Sequence, residues 1–275
     1  MDNLSLTSKY YRALCEPHLY RELTFSRRNS YLINCLFLTI LSRPELALHI
    51  QSVVLNDGEE GDQGFDSSTY EWLLDQVINV RELVRKVAAP LQDVEFTLQW
   101  FGEMYQGLPT SSQATLALVL CLATNLVYLD LGGETASGML RKVLGQRWMT
   151  DDETSYPFCK LKTLCLQNGV RGCLLPGLEE MHLRRVNGSI DGPLFSKYSI
   201  EELGSNLRVL TLCSINFSPQ WMEGAVEWKI FKGMKELVVQ FAGSTDGWDS
   251  PWSNYDMGRM SNAIVTSLLE LEVLE

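Results

Sequence analysis

Histidine is scarce in this chain of 275 residues: His18, His49 and His182 are all there are. None of them sits at a paired metal spacing or beside a nucleophile motif such as Gly-x-Ser-x-Gly, so zinc chemistry and triad hydrolysis have no foothold. No pair of the seven cysteines forms Cys-x-x-Cys, and Cys159, Cys165 and Cys173 cluster without ligand spacing. An odd number of thiols scattered among apolar residues excludes the stapled design of a small secreted domain; a reducing compartment, cytoplasmic or nuclear, is expected. Basic residues are few as well, with Lys and Arg at 23 against 34 Asp and Glu and a formal net charge of −11. Such a balance excludes a general grip on nucleic acid or on an anionic membrane surface. Long apolar runs are also missing: Tyr31 to Leu41 is too short to span a bilayer, and Met1-Asp2-Asn3-Leu4-Ser5 lacks the character of a secretory signal.

Motifs for small ligands are equally thin. Gly133-Glu-Thr-Ala-Ser-Gly138 lacks the Lys-Ser/Thr of a phosphate loop and reads as a turn into a helix. The acidic stretch Asn56 to Asp66 lacks the alternating ligands and closing Glu of a calcium loop and reads as a solvated insertion. No catalytic residue, cofactor site or metal site is expected, although scattered carboxylates leave an α/β hydrolase or transferase as an alternative.

What the chain does have is 45% hydrophobic content, enough for a continuous core, arranged in a recurring frame. The order apolar-x-x-apolar-x-apolar appears at Ile50-Gln-Ser-Val53-Val-Leu55, Leu91-Gln-Asp-Val94-Glu-Phe96, Leu126-Val-Tyr-Leu129-Asp-Leu131 and Leu161-Lys-Thr-Leu164-Cys-Leu166. It continues at Leu178-Glu-Glu-Met181-His-Leu183, Leu207-Arg-Val-Leu210-Thr-Leu212 and Met234-Lys-Glu-Leu237-Val-Val239, and a further unit starts at Leu271-Glu-Val-Leu274. The second half of each frame alternates as a strand with one buried face does, and residues between frames carry helical spacing over Tyr31–Leu41, Thr69–Val87, Gln113–Ala123, Ala136–Trp148 and Asn262–Leu269. Thr69 is an N-cap candidate and Pro90 a helix stop. Together these predict an α/β fold, an irregular leucine-rich-repeat solenoid with a curved parallel sheet on the concave side and helices on the convex side.

The N-terminal run Leu4 to Phe25 has Ser8, Lys9, Tyr11 and Arg12 followed by Pro17, Leu19, Tyr20 and Arg21. In that order these residues resemble the second half of an F-box, especially of the fungal F-box/leucine-rich-repeat family, and the uneven repeats resemble that family's too. The family's opening Leu-Pro-x-Glu-Ile/Leu helix has no counterpart here, so the resemblance is to a truncated F-box over residues 1–25, with a repeat domain over 26–275 that continues further. The resemblance implies a substrate-recognition subunit of an SCF-type cullin-RING ubiquitin ligase, with a Skp-type adaptor and a cullin as partners and a protein as substrate. Tyr11, Pro17, Leu19 and Tyr20 would face the adaptor. Read from the residues alone, Tyr10, Tyr11, Leu14, Leu19 and Tyr20 form an amphipathic helix that caps the core. The second reading is a leucine-rich-repeat scaffold unrelated to ubiquitin.

Residues between frame positions point away from the core and form a candidate partner-binding strip. Its members are Ser52, Val54, Asp93, Glu95, Tyr128, Asp130, Thr163, Cys165, Glu180, His182, Val209, Thr211, Glu236 and Val238. Its first half is acidic and suits a basic ligand, with Tyr128 as an aromatic anchor. Trp248, Trp252 and Tyr255, set among Gly, Ser, Asp and Pro, form a candidate aromatic binding loop.

Overall fold

Alternating burial along the short apolar frames decides the architecture. The structure, a computed structural model, describes residues 9–26, 30–56, 77–105, 110–135, 139–144, 157–167, 175, 177–184, 206–215, 234–241 and 273–274. The chain divides into two compact units, Met1–Gly132 with Ser137–Leu161, and Gly133–Ala136 with Lys162–Glu275.

The first unit runs α1 (Lys9–Leu19), β1 (Glu22–Ser26), α2 (Ser30–Ser42), a 3-10 turn (Pro44–His49) and β2 (Ser52–Asn56). It continues through α3 (Val77–Ala88), a 3-10 turn (Ala89–Leu91), α4 (Val94–Tyr105) and α5 (Thr110–Leu122), enters β3 (Tyr128–Thr135), and includes α6 (Met139–Leu144). β1 pairs with β2 and β2 with β3, each in parallel. The second unit holds β4 (Thr163–Gln167), β5 (Glu180–Arg184), β6 (Val209–Ile215), β7 (Glu236–Phe241) and β8 (Val273–Leu274), each paired in parallel with the next in chain order. Within each unit the strand order never reverses. The fold is therefore α/β with parallel strands in sequential order.

The same backbone device starts successive strands. The Arg21 carbonyl accepts from the N–H groups of Gln51 (2.9 Å) and Ser52 (3.0 Å), and the Gln51 carbonyl accepts from Val127 (2.8 Å) and Tyr128 (3.0 Å). In the second unit Lys162 accepts from Glu179 and Glu180, Glu179 from Arg208 and Val209, and Arg208 from Lys235 and Glu236, all at 2.8–3.1 Å. Each rung takes two successive donors onto one carbonyl and fixes the register just before the strand. The frame residues then face the core: Val53, Leu129, Leu164, Met181, Leu210 and Leu237 are all buried.

A second recurring bond lies three residues upstream. The N–H groups of Ile50, Leu126, Leu161 and Leu178 donate to the carbonyls of Ala47, Ala123, Phe158 and Leu175, which are themselves buried. This tight turn delivers each frame to its strand. At Phe158 it requires a positive φ of 67°, an uncommon conformation for an aromatic residue, which its full burial offsets.

α5 is the central helix of the first unit. Every residue from Ala114 to Cys121 is buried, as expected of a helix apolar on all sides, and it packs against α2, α4 and α6. The indole N–H of buried Trp100 donates to the Ala114 carbonyl at 3.0 Å, so α4 is joined to α5 without an unmet donor.

Two sequence expectations need correction. Residues 91–96 match the frame but form no strand: Asp93 Oδ1 accepts from the Phe96 N–H at 2.9 Å and caps α4. Phe96, Trp100 and Met104 are buried at successive turns, so the helical period prevails over the frame. Residues 133–135, expected in a turn, belong to β3, and 136–138 lie outside the described residues. The helices expected at Tyr31–Leu41 and Gln113–Ala123 are α2 and α5 with slightly wider bounds. Those at Thr69–Val87 and Ala136–Trp148 are described only over α3 and α6, and α3 ends just before Pro90, as the helix stop requires. Thr69, the Asn262–Leu269 helix and the acidic stretch from residue 57 lie outside the described residues.

Packing leaves some polar atoms unmet. Asn34 on α2 and Thr115 on α5, each 1% exposed, make no side-chain hydrogen bond among the described residues. A buried polar atom without a partner is destabilising by about 1–3 kcal/mol. Asn34→Leu and Thr115→Val should each raise stability by about 1 kcal/mol in urea denaturation, whereas Leu129→Ala should lower it by about 2–5 kcal/mol. Equal loss from all three variants would mean the helix interface is misassigned.

Candidate functional site

Because side chains alternate along a strand, residues flanking the buried frame positions share the opposite face. In the first unit Ser52 pairs with Tyr128 and Val54 with Asp130, and β1 adds Glu22 beside Ser52 and Thr24 beside Val54. In the second unit one row is Thr163, Glu180, Val209 and Glu236, and the next is Cys165, His182, Thr211 and Val238. A third row carries Gln167, Arg184 and Cys213.

Most of these side chains are half-buried, as expected on a sheet face lined by neighbours; two are withdrawn. Asp130 is 8% exposed, and its Oδ1 accepts from the Gly132 N–H at 2.9 Å, where Gly132 takes a φ of 57°. Its carboxylate thus shapes the backbone bend. Cys165 is buried. Asp93 and Glu95, placed at the start of α4, lie off the strands altogether.

The acidic first half expected of the strip is therefore not where the sequence put it. The outward rows carry Glu22 in the first unit and Glu180 and Glu236, on either side of Val209, in the second. Glu180 Oε2 accepts from the Thr163 hydroxyl at 3.1 Å and lies 3.9 Å from His182 Nε2. Next to this row, at the rungs, Glu179 pairs with Lys162 at 2.9 Å. The hydrogen bond and charge of Lys162, with a smaller contribution from Arg208, hold the Glu179 carboxyl below the usual carboxylate range.

The N-terminal candidates divide similarly. Tyr11 lies on α1, but its side chain is outside the described residues. Pro17 and Leu19 sit half-buried in the last turn of α1, and Tyr20 is half-buried in the turn into β1. Leu14, expected on the apolar face, is exposed, and Cys15 is buried instead. α1 is fastened by a bidentate bridge: Arg43 donates to both carboxylate oxygens of Glu16 at 2.5 and 2.7 Å. Trp248, Trp252 and Tyr255 lie outside the described residues.

Sequence reasoning missed Glu22 and Thr24, although Tyr20-Arg-Glu-Leu23-Thr-Phe25 repeats the frame and Phe25 is buried. Among the described residues no group of three or more His, Cys, Asp or Glu could hold a metal, and no helix is long and apolar enough to cross a membrane. Burial pushes the Cys121 thiol well up, which keeps it protonated and unreactive. No protein-family model matches the chain, and no curated protein matches it.

A carboxyl whose pKa falls on folding stabilises the folded chain above its unfolded value, and that contribution disappears as pH drops through the folded value. Lys162→Ala should therefore lower stability slightly at neutral pH and leave it unchanged at acid pH, below the folded value, so that the acid limb of the stability–pH profile is flatter than in the native chain. An unchanged acid limb would remove Lys162 as the partner that lowers Glu179. Thr211→Ala, on the outward face, should shift the urea midpoint by less than about 0.5 kcal/mol in ΔG.

Proposed function

We propose that this chain is a protein-binding leucine-rich-repeat solenoid, irregular in unit length and capped by α1, that acts as the substrate-recognition subunit of a cullin-RING ubiquitin ligase. The observation that supports it most is the recurrence, strand after strand, of one carbonyl rung and one upstream turn. Repeated units of this kind cannot bury their apolar faces singly, and their stacking leaves ordered rows of side chains free for recognition. The N-terminal resemblance to an F-box supplies the ubiquitin part of the reading.

Binding would use the outward rows. Glu180 and Glu236 flank Val209, which suits a partner segment with Lys or Arg on both sides of an apolar residue. In the first unit Tyr128 offers an aromatic anchor beside Ser52. A protein partner of this sort needs neither cofactor nor metal, and the cysteines, odd in number and free wherever they fall among the described residues, suit a cytoplasmic or nuclear setting.

A scaffold unrelated to ubiquitin is the second reading. It is favoured by the Glu16–Arg43 bridge, which commits α1 to the fold as a cap.

Affinity capture of the tagged chain from cells separates the two. The ligase reading expects the Skp-type adaptor and a cullin among the captured proteins, together with a substrate lost on Glu180→Lys/Glu236→Lys while the adaptor is retained. Capture of the substrate without adaptor or cullin supports the scaffold reading. Partner binding unaffected by the double charge reversal would contradict the role of the outward rows.

A further inference from the structure

α4 has two apolar faces. Phe96, Trp100 and Met104 face the core, while Val94, Leu98 and Phe101 recur at i, i+4 and i+7 on another side, where Val94 is 74% and Leu98 56% exposed. That second stripe faces α3. Between the two helices lies a groove of about 320 Å³, with Val84 and Ala88 of α3 on its floor and Arg81 and Arg85 along its rim.

Exposed single leucines are ordinary, but a contiguous apolar furrow with a charged rim is not. Its volume lies at the small end of the ligand-pocket range, roughly 300–1,000 Å³. With two of its apolar walls exposed, it fits the side chains of a docking segment better than an enclosed small molecule.

The rim identifies the occupant's charge. Arg81 lies over the Phe101 ring, 5.9 Å from its centroid, and meets no carboxylate among the described residues. Among the described residues Arg85 pairs only with Glu82 of its own helix, at 3.3 Å, and both side chains are mostly exposed. Such a surface pair contributes little and is readily exchanged for an incoming carboxylate. At the far end, Asp93 is occupied in capping α4. The groove thus presents two guanidinium groups beside an apolar floor, on a chain whose net charge is −11.

We propose that the α3–α4 groove is a docking site for a short amphipathic segment of a partner protein that sets apolar side chains against Val94, Leu98 and Phe101 and carboxylates against Arg81 and Arg85. The site is separate from the outward strand rows and does not depend on the function proposed for them.

The test uses the full chain and a fluorescein-labelled amphipathic peptide of about 14 residues, roughly 21 Å as a helix and so long enough to follow α4. It carries a Leu stripe flanked by Glu; one twin has Lys for every Glu, and a second has Ser for every Leu. By fluorescence anisotropy the Glu peptide should bind, and both twins should bind about tenfold more weakly or less, a difference of about 1.4 kcal/mol. Leu98→Asp should weaken the Glu peptide about tenfold, and Arg81→Glu/Arg85→Glu should reverse the preference in favour of the Lys twin. All three substituted residues are exposed, so thermal melts should match the native chain, and Thr211→Arg on the strand face should leave binding unchanged. Absence of binding, equal binding of the Glu and Lys peptides, or no reversal in the double variant would overturn the proposal. Sedimentation of the chain alone supplies a further check: self-association abolished by Leu98→Asp would make a second copy the occupant and also overturn it.

Discussion

A single backbone carbonyl accepting two successive N–H groups from the next strand is the constraint on which the rest of this structure depends. Side chains on a strand alternate with a period of two, so a slip of one residue would turn every frame leucine outward and every polar row inward. The rungs at Arg21, Gln51, Lys162, Glu179 and Arg208 hold the register before the strand begins. Leu129, Leu164, Leu210 and Leu237 can then be fully buried while the residues beside them stay at the surface. The outward rows follow from the same bonds.

The first unit shows how far such a scheme tolerates insertion. Between β2 and β3 the chain builds α3, α4 and α5 before returning to the same rung and turn. The insertion is accommodated because α5 is apolar on every side and serves as a shared core for α2, α4 and α6. α4 gains core contacts on one face and keeps a second apolar face, and the groove beside α3 results from that surplus.

Much of this was readable in the residues, and the failures have definite causes. Frames at Ile50, Leu126, Leu161, Leu178, Leu207 and Met234 were legible because two-residue alternation and a preceding apolar anchor coincide there. The frame at Leu91 misled because three apolar residues match it although they share no face of the helix; Phe96, Trp100 and Met104, which recur at helical spacing, and Asp93, a good N-cap, carried the opposing signal. The frame at Tyr20 went unnoticed because it lay within the segment that resembles an F-box. Placement of charge was the least legible part. Nothing in the sequence pattern says that Asp130 bends its carboxylate back to the Gly132 N–H.

Residue-resolved hydrogen exchange by NMR addresses the rungs directly. The account predicts protection of both members of each donor pair: Gln51 with Ser52, Val127 with Tyr128, Glu179 with Glu180, Arg208 with Val209, and Lys235 with Glu236. Protection of only alternate residues through these segments, or free exchange of both members, would contradict it.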